Sequence, residues 1–180
     1  MHIIQAFDEK VMFFFQGIRV DLLTDFFKIF IKFEFWNVAV GVLVIYSFIR
    51  TRKFRVPVIS YFLAWSGAIY AFSLLKDYFH RPRPFITIKG LVPAVPLPHG
   101  YSFPSGHATL AAAMAVVLMY HFPKARYVIF ALALLACFSR VYFGVHYLTD
   151  VLAGFMVGAI VGFVSLVCEK IILEINQDSK

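Results

Sequence analysis

The chain has 180 residues, of which 61% are hydrophobic and 15% charged, and its mean hydropathy is +0.80. Soluble domains carry about a quarter charged residues, so this composition excludes an ordinary soluble domain and points to one membrane-embedded domain over residues 1–180. The net charge is +7, but the cations sit at the ends of apolar runs, a pattern of membrane orientation and anionic headgroups rather than of nucleic-acid binding.

In residues 1–32 and just beyond, Phe26, Phe27, Ile29, Phe30 and Phe33 alternate with Asp21, Asp25, Lys28 and Lys32 at helical spacing. That pattern predicts an amphipathic helix lying on the membrane; a sixth crossing through 11–18 is the alternative. The acidic N-terminal residues and the lack of a polar cleavage region argue against a cleavable signal peptide. Five apolar spans follow, at roughly 33–50, 56–75, 105–122, 127–143 and 150–172, most of them near the ~20 residues that cross a bilayer. The first extends back past Lys32 and Glu34, whose charges can reach the interface. The expected fold is therefore all-α: a polytopic transmembrane helix bundle with an N-terminal amphipathic segment.

Between the second and third spans, Pro84, Pro93, Pro96, Pro98 and Pro104 prevent regular structure. Phe85, Ile86, Leu91, Val92, Leu97 and Phe103 suggest that this connection rests at the lipid interface, as a substrate gate or a passive connector. The fifth span carries Gly154, Gly158 and Gly162, and the third carries Ala108, Ala111, Ala112 and Ala115. Small residues at these spacings let helix backbones approach in lipid. We expect these two spans to pack on each other; homodimerisation through the glycines is the alternative. Cys137 and Cys168 fall inside apolar runs and read as small buried hydrophobes.

The loops set the orientation. Arg50, Arg52, Lys53 and Arg55 lie between spans one and two, and Lys124 and Arg126 between spans three and four. Both loops fall on one side, which the positive-inside rule assigns to the cytoplasm. Three polar clusters then meet at the opposite, extracytoplasmic end: Lys76 to Pro84 after span two, Pro104 to His107 opening span three, and Ser139-Arg140 with His146 and Asp150 between spans four and five.

Those clusters hold the parts of a phosphate-handling site. Arg83 and Arg140 offer forked donors that match phosphate oxygens, and Lys76 adds a compact charge. Ser105 and Gly106 begin a helix, where unpaired backbone N–H groups favour an anion. The competing reading, that these cations mark membrane boundaries, suits Lys89 well, Arg81 less well and Arg140 poorly. His146 and Asp150 are four apart and share a face at a helix start. A carboxylate bonded to one ring nitrogen would leave the other free to attack. His107 is then placed to protonate a leaving oxygen. His2, His80, His99 and His121 read as interfacial residues, with His80 and His99 available as headgroup contacts. No HExxH-type pair supports a metal site, and the cations would repel one.

Residues 76–84 fit K-x6-R-P, 104–107 read P-S-G-H, and 139–150 fit S-R-x5-H-x3-D. In these motifs the chain resembles the type 2 phosphatidic acid phosphatase family of membrane lipid phosphatases. The resemblance implies a helical core and hydrolysis without a metal or other cofactor. It implies His146 as the nucleophile of a phosphohistidine intermediate, Asp150 as its orienting carboxylate and His107 as the acid. Lys76, Arg83, Ser105, Gly106 and Arg140 would hold the phosphate. The expected partners are the bilayer and a phosphorylated lipid, with undecaprenyl diphosphate, phosphatidylglycerol phosphate and the 1-phosphate of lipid A as candidates. The expected location is a bacterial cytoplasmic membrane. A transporter or binding protein for phosphorylated lipids, using the cations without chemistry, is the alternative from a different class.

Overall fold

Apolar periodicity resolves into helices over most of the part of the chain that the computed structural model describes, residues 2–32, Val42 and 55–178. They are α1 (His2–Gly17), α2 (Asp21–Lys32), α3 (Arg55–Phe79), the single turn α4 (Pro84–Thr87), α5 (Gly106–His121), α6 (Arg126–Tyr142) and α7 (Leu148–Asp178). No strand occurs among the described residues. The expected span 33–50 and the loop cations Arg50, Arg52 and Lys53 lie outside them.

Among the described residues, three apolar segments are long enough to cross a membrane, Val58–Thr87, Pro123–Tyr142 and Leu148–Ile175, corresponding to the expected spans two, four and five. The helix of span three, α5, has 16 residues, about 24 Å at 1.5 Å per residue, and so falls short of a ~30 Å hydrocarbon core. Its neighbours explain why it can be short. Helices α3, α6 and α7 all pack against it, and Ala108, Ala111, Ala112, Ala113, Met114, Ala115 and Val117 are all buried. It is the inner post of the bundle, and its N-terminus ends where the polar clusters meet.

The seam between α5 and α7 is built from the glycines picked out in the sequence. A Cβ at Gly154 would lie 2.7 Å from the Ser105 carbonyl oxygen, one at Gly158 2.1 Å from that of Thr109, and one at Gly162 2.7 Å from that of Ala113. Only hydrogen fits at all three, so the small-residue face is spent inside the chain. The opposite stripe of α7, with Leu152, Met156, Ile160, Phe163, Val167 and Ile171, is exposed and apolar, as a lipid-facing surface requires.

Residues 2–32 form two helices rather than one, broken at 18–20. α2 keeps the amphipathic pattern. Phe27 is buried against Tyr142, Phe143 and Val145, while Lys28 and Asp25 pair on the outer face at 3.1 Å. α1 lies along α6, with Met12 in one cluster with Cys137 and Val141 and the Phe15 and Phe138 rings 5.2 Å apart. The segment is thus docked on the bundle at the end that carries the polar clusters. At the other end, His121 is more than an interfacial residue: its Nε2 lies 3.0 Å from Glu169 Oε2 and 3.1 Å from Ser60 Oγ.

Candidate active site

Three chain breaks bring the clusters together. The first follows α3, whose last turn carries Lys76. His80 adopts a left-handed conformation, φ 48°, a C-terminal stop that histidine tolerates better than most residues. Pro82 and Pro84 then forbid continuation, and Pro84 opens the next turn, α4, where its fixed φ is suited. Arg83 is thereby turned into the bundle and is 6% exposed.

The second break is the start of α5. Ser105 is the N-cap residue, but its side chain caps nothing. Its Oγ is buried without a hydrogen-bond partner, while its N–H donates to the Asp150 carbonyl at 3.0 Å. The N–H groups of Gly106 and His107 open the helix without intrahelical acceptors, as at any helix start. An orphaned hydroxyl beside first-turn N–H groups is a ready acceptor-seeking surface for an anion.

The third break ends α6. Gly144 takes φ +78°, and its N–H reaches the Val141 carbonyl at 2.9 Å, so the chain reverses tightly. A Cβ there would meet the Arg19 guanidinium at 2.7 Å. This reversal is the physical content of the five-residue spacing between Arg140 and His146, since it folds the chain back until the Val145 N–H reaches the Arg140 carbonyl at 3.3 Å.

The cations and imidazoles converge at this end. Arg83 NH1 lies 3.3 Å from His146 Nε2, and Arg140 NH1 lies 3.5 Å from His107 Nε2. Arg83 also donates to the carbonyls of Gly100 at 2.9 Å, Val145 at 3.0 Å and His99 at 3.1 Å, and Lys76 donates to the Tyr101 carbonyl. The 99–101 stretch is therefore ordered by the same cations that the sequence assigned to phosphate. His107 is exposed, whereas His146 is 4% exposed. All eight predicted site residues thus lie at one end of the bundle.

His146 differs from expectation in its immediate partner. The spacing of four predicted Asp150 on the ring nitrogen, but Nδ1 lies 2.8 Å from the Ser102 carbonyl oxygen and 3.7 Å from Asp150 Oδ2. A carbonyl only accepts, so Nδ1 carries the proton and Nε2 presents its lone pair toward Arg83. Asp150 acts one residue removed, by accepting the Ser102 hydroxyl and the Tyr147 N–H at 3.0 Å. Burial pushes the His146 imidazolium down to about 4; Asp150 pulls the other way, and Arg83 and Lys76 add to the fall. The ring is neutral at ordinary pH, the state a nucleophile needs.

Sequence reasoning missed three contributors. Ser102 carries no signal in sequence, since its role is that of a carbonyl and a hydroxyl in an irregular loop. Arg81, read as a weak boundary cation, donates to Asp150 Oδ1 at 2.6 Å. Asp8, fully buried in α1, accepts from the same arginine at 2.9 Å. A carboxylate beside an apolar run in a membrane protein was the available clue.

Comparison with known proteins identifies the family and the fold. A profile described as the PAP2 superfamily matches residues 57–172. The chain is 33% identical over 136 residues to an undecaprenyl-diphosphatase of Sulfolobus acidocaldarius, covering 75% of this chain and 64% of that protein. It spans about half the length of two further curated relatives. Among solved structures, Aquifex aeolicus LpxE superposes with a TM-score of 0.76 at 31% identity, covering 87% of this chain and 93% of that one. The first transmembrane PAP2-type phosphatidylglycerolphosphate phosphatase from Bacillus subtilis gives 0.79 at 25% identity, covering 96% and 89%.

Proposed function

This chain belongs to the PAP2 superfamily, and from that premise we propose that it hydrolyses the terminal phosphate of a membrane lipid phosphate or diphosphate. The observation that carries the reading is the state of His146. Its Nδ1 proton is pinned on the Ser102 carbonyl, and its unprotonated Nε2 accepts from Arg83 NH1 at 3.3 Å, so the lone pair points at the cation that would hold the phosphate.

In the reaction we infer, Lys76, Arg83 and Arg140 neutralise the phosphate, and Ser105 Oγ with the N–H groups of Gly106 and His107 orients it. Nε2 attacks phosphorus and the bond to the lipid oxygen breaks. His107, exposed beside Arg140, gives that oxygen a proton. Water then attacks the phosphohistidine, with His107 taking its proton, and phosphate leaves. Asp150, through Ser102, keeps the imidazole aligned as it gains positive charge on phosphorylation. No step requires a metal: the cations supply the charge neutralisation, and Arg81 already engages the carboxylates of Asp8 and Asp150.

The Sulfolobus acidocaldarius relative is an undecaprenyl-diphosphatase, the Bacillus subtilis structure is a phosphatidylglycerolphosphate phosphatase, and a lipid A 1-phosphatase of Rhizobium johnstonii is also similar. We take the lipid phosphates in these three names as the substrate panel. Purified protein should release phosphate from at least one of them in excess EDTA. Activity lost to EDTA and restored by magnesium or zinc would move the chemistry to an ion and overturn the reading. Lipid transfer without phosphate release would favour a transporter instead.

We infer from the positive-inside rule that the site faces the extracytoplasmic side of a bacterial cytoplasmic membrane and draws substrate from the outer leaflet. Lys89 lies in the connection beside the site, and Lys124 in the turn at the opposite end of α5. With Cys137 and Cys168 replaced, Lys89→Cys should react with an impermeant thiol reagent in intact spheroplasts, and Lys124→Cys should react only after lysis. Reversed labelling would put catalysis on the cytoplasmic side.

A further inference from the structure

We propose that Asp8 is a positioning residue for phosphoryl transfer, acting on Asp150 through Arg81 and Thr149; the proposal rests on the phosphatase reading above. Asp8 lies in α1, outside the 57–172 region that matches the family, and no motif in the sequence points to it.

A carboxylate fully removed from solvent persists only with strong partners, and those of Asp8 are specific. Its Oδ2 accepts from Arg81 NH2 at 2.9 Å and from Thr149 Oγ1 at 2.6 Å. Its Oδ1 accepts from the Thr149 N–H at 3.2 Å. That N–H belongs to the first turn of α7, so a side chain from α1 caps a helix 141 residues further on. Asp150 sits in the same first turn, and the positive end of the helix suits both carboxylates.

Arg81 bridges the two acids. One arm of its fork holds Asp8. The other, NH1, donates to Asp150 Oδ1 at 2.6 Å and to Thr149 Oγ1 at 2.8 Å. The Tyr147 ring lies 3.8 Å from the guanidinium carbon and holds the planar fork in place by a cation–π contact. Asp8, Arg81 and Thr149 therefore close a cycle of hydrogen bonds. Asp150 hangs from that cycle by one carboxylate oxygen and uses the other for Ser102 and Tyr147. From Ser102 the path reaches His146 Nδ1.

Without the charge on Asp8, Arg81 loses the partner that fixes its second arm, and it is drawn onto Asp150 alone. Asp150 then shifts, and the Ser102–His146 geometry shifts with it. Asp8 has no hydrogen bond or ion pair with Lys76, Arg83 or Arg140, so phosphate binding should be spared. A residue that merely fastened α1 to the bundle would change stability without separating kcat from KM.

The test compares full-length wild-type protein with Asp8→Asn, an isosteric change, on one lipid phosphate in liposomes. A wild type that releases no phosphate sinks the phosphatase reading itself, and this proposal with it. With an active wild type, D8N should lower kcat by roughly tenfold to hundredfold, the cost of a small misplacement of reacting groups. KM should stay within about twofold, and single-turnover phosphoenzyme formation should slow by the same factor as kcat. Wild-type kcat in D8N, or a loss expressed in KM, overturns the positioning role and leaves the phosphatase reading intact. If D8N does not fold, Arg81→Lys carries the test: it keeps the charge but reaches only one carboxylate, and wild-type kcat in R81K overturns the proposal.

Discussion

His146→Ala should reduce phosphate release by on the order of 10⁴-fold or more, as removing a nucleophile does elsewhere. The expectation follows from how few groups could stand in. Ser105 Oγ is buried without a base beside it, and His107 is across the site against Arg140. The cations remain in H146A, so substrate should still bind, and KM should change far less than kcat. Rapid acid-free quenching of the wild type with phosphate-labelled substrate should trap phosphate on Nε2 of His146, labile to acid and stable to alkali. H146A should carry none. Near-normal turnover by the alanine variant would leave direct attack by water as the mechanism and reduce His146 to a hydrogen-bonding residue.

The parts of this site that could be read from sequence are those set by connectivity. Residues 76–84, 105–107 and 139–150 flank apolar runs, and helices that alternate across a membrane must deliver all three to one side. The α5–α7 seam was legible for a related reason: glycines four apart leave a groove along the helix, and Ala108 to Ala115 offer the matching small face. What escaped depended on contacts that no spacing encodes. The acceptor for His146 Nδ1 is a backbone carbonyl 44 residues away, in a loop whose path is fixed by Arg83 and Lys76 binding its carbonyls. The i,i+4 rule placed Asp150 on the right face, but Gly144 tightens the turn before α7, so His146 precedes the helix rather than riding on it. Asp8 was hidden because an amphipathic reading of residues 1–32 sends every charge to water, whereas α1 turns this one inward.

The second large effect should come from a residue that touches no substrate. Gly158 is in the middle of α7, and a Cβ there would stand 2.1 Å from the Thr109 carbonyl oxygen and 2.9 Å from Ala112 Cβ. The first of these is backbone, which cannot swing aside as a side-chain tip can. Gly158→Leu must therefore push α5 from α7 or break the helix, an overpacking that costs several kcal/mol, ~3 or more. For a chain of this size that corresponds to a fall in Tm of roughly 10 °C. Activity should fall further than stability, because the two helices carry the two halves of the site. α5 presents Ser105, Gly106 and His107; α7 opens with Asp150, whose carbonyl holds the Ser105 N–H at 3.0 Å. Separation of the helices breaks that tie and moves the phosphate cradle away from His146. Ile160→Leu is the control, two residues on and 63% exposed on the lipid-facing stripe; it should keep wild-type Tm and turnover. If G158L melts and turns over like the wild type, the glycine face is not sealed by α5 in the membrane and is open to a second copy of the chain. If G158L is inactive yet elutes and melts normally, the role of the seam is alignment rather than stability, because the same ångström that packing tolerates is one that in-line attack at phosphorus does not.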